Sequence, residues 1–140
     1  MKLTIYTDGG SLNNPGEAAY GFVVYTNGVM SYTQKERIGI ASNNVAEYTG
    51  LIKALLYVKE SIMRSALPVS HIYIISDSQL MVHQVNGLYK VKHPDIKPLH
   101  EKVKALEMEL GLPISYTHVL REKNKKADSL VKEALGTCSI

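Results

Sequence analysis

The chain has 140 residues, 45% hydrophobic and 21% charged, which excludes a disordered or fibrous polymer and predicts one globular domain, residues 1–140, with a real core. No apolar run reaches the ~18 residues that span a bilayer, and the N-terminus MKLTIYTDGG lacks a signal peptide's apolar stretch, so a soluble, cytoplasmic protein is expected. A net charge of +3 and a pI near 8.9 fall short of a strongly basic nucleic-acid binder, and the lone Cys138 excludes an internal disulfide.

Lys2 to Thr7 alternates and is rich in Leu, Ile, Tyr and Thr, which predicts a strand ending at Asp8. The tract from Asp8 to Gly16, DGGSLNNPG, reads as a glycine turn in which backbone can approach a ligand closely. Ala19 to Tyr25 is a second strand, and Asn27-Gly28 signals a hairpin into a third, Val29 to about Ile40. Asn43 or Asn44 can cap a helix whose apolar positions are Tyr48, Leu51, Ile52, Leu55, Val58 and Ile62. His71 to Ser76 is apolar nearly throughout, as in a strand covered on both faces. Asp77-Ser78 then caps a short helix to Asn86, and an irregular stretch from Leu88 leads to a helix from Pro98 to about Leu110. Ile114 to Val119 is a last strand, and a helix runs from about Asn124 to Ala134. The expected fold class is α/β: a five-stranded mixed sheet, three antiparallel strands then parallel ones, flanked by helices.

Four carboxylates fall at one edge of that sheet. Asp8 and Asp77 end strands, while Glu47 and Asp128 lie early in helices. Active sites of open α/β sheets form at this edge. Each residue also has a purely structural reading: Asp8 as a turn residue, Asp77 as an N-cap, Glu47 in a capping box with Asn44, Asp128 as a partner of its helix dipole. Together they crowd like charges, which a divalent cation would offset. An all-oxygen ligand set suits Mg²⁺ or Mn²⁺ and argues against zinc.

The segments TDGGSLNNPG, NNVAEY, SDSQLMVHQVNG and REKNKKADSL, in this order, resemble the motifs of the type 1 ribonuclease H family over essentially the whole chain. The resemblance implies a ribonuclease H-like fold. It implies an endonuclease that cuts the RNA strand of an RNA–DNA hybrid, leaving 5′-phosphate and 3′-hydroxyl ends. It also implies two Mg²⁺ ions, with Mn²⁺ as a substitute, held by Asp8, Glu47, Asp77 and Asp128. In that scheme Asp8 bridges both ions, Asp128 shares the ion that activates water, and Glu47 and Asp77 complete the one at the leaving oxygen. Asn14, Asn43, Asn44 and Gln79 match family positions that line the minor groove, where side chains that both donate and accept suit a ribose 2′-hydroxyl. Gly9 and Gly10 are expected to admit the RNA backbone. His118 and Asn124 are further candidate contacts, and the protein is expected to act as a monomer.

The sequence departs from the family in two places. The loop LREKNKKA before the last helix lacks the histidine that many members carry; His118 lies on a strand, so Arg121 is the better candidate there, as a fixed charge toward phosphate. The basic helix of longer bacterial members is missing, leaving Lys90, Lys92 and Lys97 as a partial replacement, and no additional N-terminal hybrid-binding domain is expected. Two alternatives stand beside hybrid cleavage: a non-catalytic hybrid-binding module, or a related nuclease acting on double-stranded RNA or structured DNA.

Overall fold

The structure is a computed structural model that describes residues 1–136; Cys138 lies outside them. Strands β1 (Lys2–Ser11), β2 (Gly16–Thr26) and β3 (Val29–Ala41) form an antiparallel meander, and β4 (His71–Ser76) and β5 (Ile114–His118) add in parallel, giving the order β3-β2-β1-β4-β5. Helices α1 (Asn43–Ser65), α2 (Gln79–Val85), α3 (Lys97–Leu110) and α4 (Lys125–Leu135) connect and cover them. The expected fold class holds. At the β2–β3 turn, Asn27 and Gly28 both adopt positive φ, +50° and +85°, as a two-residue hairpin whose twist matches its strands demands.

The two sides of β1 end at different points. Its parallel pairing with β4 stops at Thr7–Ser76, whereas its antiparallel pairing with β2 continues from Asp8–Gly21 to Ser11–Ala18. The stretch read as a glycine turn is therefore strand for three residues beyond Asp8. Gly9 and Gly10 have low strand propensity, but a buried β2 partner holds them in the ladder. Asp8 consequently sits where β4 has run out, with one flank open.

Helix α1 packs against β1 and β2, burying Leu51, Leu55 and Val58 completely, and α3 packs on its outer side. The other face of the sheet is covered by α4, whose Leu130 sits directly over Gly21, where a Cβ would meet it at 2.6 Å. The α1 crossing is closer still. A Cβ on Gly9 would lie 2.3 Å from the Ala46 carbonyl carbon, and one on Gly50 3.0 Å from the Asp8 carbonyl oxygen. Helix backbone and strand backbone touch there with no side chain between them. Gly9 is thus needed for packing, a physical role different from the expected admission of RNA. A Cβ on Gly10 would find only ordinary contacts at 3.8 Å and beyond, so that position does have room.

Two capping expectations are corrected. The N-cap of α1 is Ser42, whose hydroxyl accepts from the Val45 amide, so Glu47 lies past the first turn and outside any capping box. The N-cap of α2 is Ser78, whose hydroxyl accepts from the Met81 amide, which frees Asp77 from that duty. Both carboxylates lose their structural explanation.

Candidate active site

Each carboxylate is delivered by a different element. Side chains alternate along β1, so Gly9 faces α1 and Asp8 faces the opposite side, toward α4. Glu47 follows Ala46, the residue touching Gly9, and so emerges from α1 beside β1 at Asp8 and Gly9. Asp77 is the first residue after β4, one position beyond the Thr7–Ser76 pair. Oxygens of Asp8, Glu47 and Asp77 all lie within 4.8 Å of one another. Asp128, on the first turns of α4, stands close enough for its charge to act on Asp8, but its Oδ2 is engaged by the Lys132 ammonium at 3.0 Å.

The cluster is buried as well as crowded. Asp8 is 6% and Glu47 9% exposed. Burial, reinforced by the charges of Asp77 and Asp128, pushes Asp8 up to about 8, against the pull of the Gly9 amide, which donates to Asp8 Oδ1 at 2.9 Å. Burial and the charges of Asp8 and Asp77 likewise hold Glu47 well above the ordinary carboxylate range. Asp77 is also raised by burial, opposed chiefly by the nearby Arg121 guanidinium. Glu47 Oε2 and Asp77 Oδ2 are buried without any hydrogen-bond partner among the described residues. Acceptor atoms left unsatisfied in a shared buried spot are costly unless something cationic completes them. Three carboxylates, two orphaned oxygens and no sulfur or nitrogen donor fit a hard divalent cation.

The cavity above the cluster, about 450 Å³, is lined by Asp8, Glu47, Asn43, Arg121 and Asp128, with Leu12, Val131 and Leu135 as an apolar wall. A wider depression of about 710 Å³ adjoins it past Arg121 and Asp128, bordered by Leu120, Lys125 and Lys132. Gly9 and Gly10 also line the cavity. Asn43 and Asn14 are tied to each other and to β1: Asn14 Oδ1 accepts from the Asn43 amide at 3.0 Å, and Asn43 Oδ1 accepts from the Ser11 amide at 2.8 Å. Asn14 borders a separate depression of about 440 Å³ with Ser42 and His93. Asn44 and Gln79 are exposed at the starts of α1 and α2, outside the lining of the carboxylate cavity. His118 ends β5 opposite Ser76, at the same sheet edge but likewise outside that lining. Lys90, Lys92 and Lys97 are exposed.

Asn124 is a correction. It is 1% exposed, and its side-chain amide donates to the Thr7 carbonyl at 2.8 Å. It does not present itself to a ligand; it pins the start of α4 to the residue preceding Asp8. Asn124→Ala leaves that carbonyl without its donor and should cost about 1–3 kcal/mol of stability, measurable by urea unfolding. An unchanged unfolding midpoint would show that the bond holds nothing. Sequence reasoning also missed Lys132, whose position four residues after Asp128 on one helix was the available signal.

An RNase H family model matches residues 1–136. The chain is 40% identical over 141 residues to the bifunctional protein Rv2228c of Mycobacterium tuberculosis, covering 99% of this chain and 37% of that protein. It is 37% identical over 136 residues to the ribonuclease HI of Halobacterium salinarum, covering 96% of this chain and 64% of that one. The chain thus spans little more than a third of some of the curated relatives it matches. Among solved structures, LC11-RNase H1 in complex with an RNA/DNA hybrid superposes with a TM-score of 0.89 at 38% identity, covering 96% of each chain. The halophilic Halobacterium salinarum RNase H1 does so at 0.87 and 34% identity, covering 97% of this chain and 98% of that one. With the four motifs in order, the mixed five-stranded sheet and a carboxylate cluster where β4 ends and its pairing with β1 stops, the chain belongs to the RNase H family.

Proposed function

We propose that this chain hydrolyses the RNA strand of RNA–DNA hybrids, with two Mg²⁺ ions, for which Mn²⁺ can substitute, held by Asp8, Glu47, Asp77 and Asp128. The observation that carries this is the convergence of three buried carboxylates from three elements within 4.8 Å, two of them with unsatisfied oxygens. When bound, divalent cations there would lower the pKa of an attacking water and neutralise charge on the leaving oxygen.

The chain's own groups do the rest. Asp8 and Glu47 offer preorganised carboxyl oxygens, which a bound cation would hold in the ionised form, their spacing fixed by the Gly9–Ala46 contact. Arg121, whose positive charge already acts on Glu47 and Asp77, can hold a phosphate as a fixed cation but cannot carry a proton near neutral pH. Asn43 presents its side chain at the cavity wall, where its amide can meet the 2′-hydroxyl that distinguishes RNA. The apolar wall of Leu12, Val131 and Leu135 lets the sugar-phosphate backbone lie in a groove that reads shape, and base identity goes unread.

Labelled RNA–DNA hybrid, RNA duplex, DNA duplex and single strands, each with and without Mg²⁺ or Mn²⁺, test the reading. Cleavage of the hybrid's RNA strand alone, dependent on the cation, is expected. Hybrid binding without cleavage would assign a binding module, and equal cleavage of duplex RNA would reassign the substrate. Arg121→Ala should lower kcat/KM by roughly 10- to 100-fold, the scale of one lost charge-assisted contact. That loss should be smaller than the loss from any carboxylate change. A loss as large as that of Asp8→Asn would place Arg121 among the essential groups.

A further inference from the structure

Three of the four carboxylates offer oxygens to one point; Asp128 is the exception. Its Oδ2 pairs at 3.0 Å with Lys132, one helical turn further along α4. Lys132 is itself part of the wall of the carboxylate cavity, together with Asp8 and Glu47. Its ammonium therefore stands where positive charge is wanted, beside the carboxylate that would share an ion with Asp8.

We infer that Lys132 is a built-in competitor for the cation that Asp8 and Asp128 would share. This rests on the proposed metal-dependent function and adds to it an inequality between the two ion positions. The Asp8–Glu47–Asp77 position keeps two buried oxygens without a hydrogen-bond partner among the described residues, even with the Arg121 charge acting on Glu47 and Asp77, so it fills first. The Asp8–Asp128 position fills only by drawing Asp128 away from Lys132. The side chains of Lys132 and Asp128 are 57% and 25% exposed, so the pair is solvated and its competition modest. It is strong enough to separate two binding events and weak enough to yield.

Calorimetric titration of the intact, metal-free chain with Mn²⁺, in the absence of nucleic acid, tests this directly. Lys132→Met should tighten the weaker event about 2- to 5-fold, the competition expected of a solvated ion pair, and leave the tighter event unchanged. Lys132→Arg, which keeps the charge, should match the wild type. An unchanged or weakened second event in Lys132→Met would overturn the inference, as would an arginine variant that behaves like the methionine one. A wild-type protein that binds no Mn²⁺ would instead overturn the functional reading, so the two failures are distinguishable.

Discussion

Asp8→Asn is expected to abolish the proposed hybrid cleavage, by a factor on the order of 10³ or more, and to stabilise the metal-free protein. The two effects share one cause. Asp8 is pushed to about 8 in the folded chain, against an ordinary aspartate near 3.8. A raised carboxylate stabilises the fold fully below its unfolded value and loses that contribution as pH rises toward its folded one. Metal-free protein therefore weakens between about pH 4 and pH 8, as folding opposes ionisation of a buried, crowded group. Asparagine keeps the acceptor for the Gly9 amide and removes the charge. In EDTA at pH 8, Asp8→Asn should be more stable than wild type by on the order of 1–3 kcal/mol, and the gap should shrink toward zero at pH 4. Near-normal turnover of Asp8→Asn in Mg²⁺ would remove Asp8 from the mechanism. A stability gap that does not vary with pH would show that burial and its neighbours do not raise Asp8.

Gly9→Ala has the second large effect, and it acts on the fold. Its Cβ would stand 2.3 Å from the Ala46 carbonyl carbon and 2.5 Å from the Glu47 amide nitrogen. All of these are backbone atoms, so no side chain can swing aside. Either α1 lifts from the sheet or the chain fails to fold; a loss of about 3 kcal/mol or more is expected, the upper range for overpacking. Gly10→Ala is the control, since its Cβ meets nothing closer than 3.8 Å. That variant should fold with wild-type stability. If the open wall at Gly10 receives the RNA strand, its KM for hybrid rises. A Gly9→Ala protein as stable as wild type would mean that the crossing has slack.

The element order, the strand polarity and the edge carrying the carboxylates were legible because hydrophobic periodicity and turn residues mark them locally. What escaped depended on partners distant in sequence. Gly9, Gly10 and Ser11 read as a turn because nothing within the segment shows that β2 pairs with them. Asn43 or Asn44 reads as the cap ahead of the apolar pattern, yet Ser42, directly after the end of β3 at Ala41, takes the position. Asn124 read as a candidate contact at the start of the last helix; only tertiary contact shows it buried against Thr7. Lys132 went unremarked in the sequence, and its meaning comes from the cavity in front of it. Local signals announced which residues carry charge, and packing decided which of those charges meet.

The backbone contact at Gly9, Ala46 and Gly50 bears on how this protein can vary over evolutionary time. A spacing set by side chains drifts whenever one apolar residue is exchanged for another. The spacing between Asp8 and Glu47 is set by main chain resting on main chain, so Leu51, Leu55 and Val58 can trade volume with their neighbours without moving it. The chain thus separates the part of its sequence free to diverge from the part that keeps the carboxylates in range. The freedom of a large core rests on two glycines, Gly9 and Gly50, that have almost none.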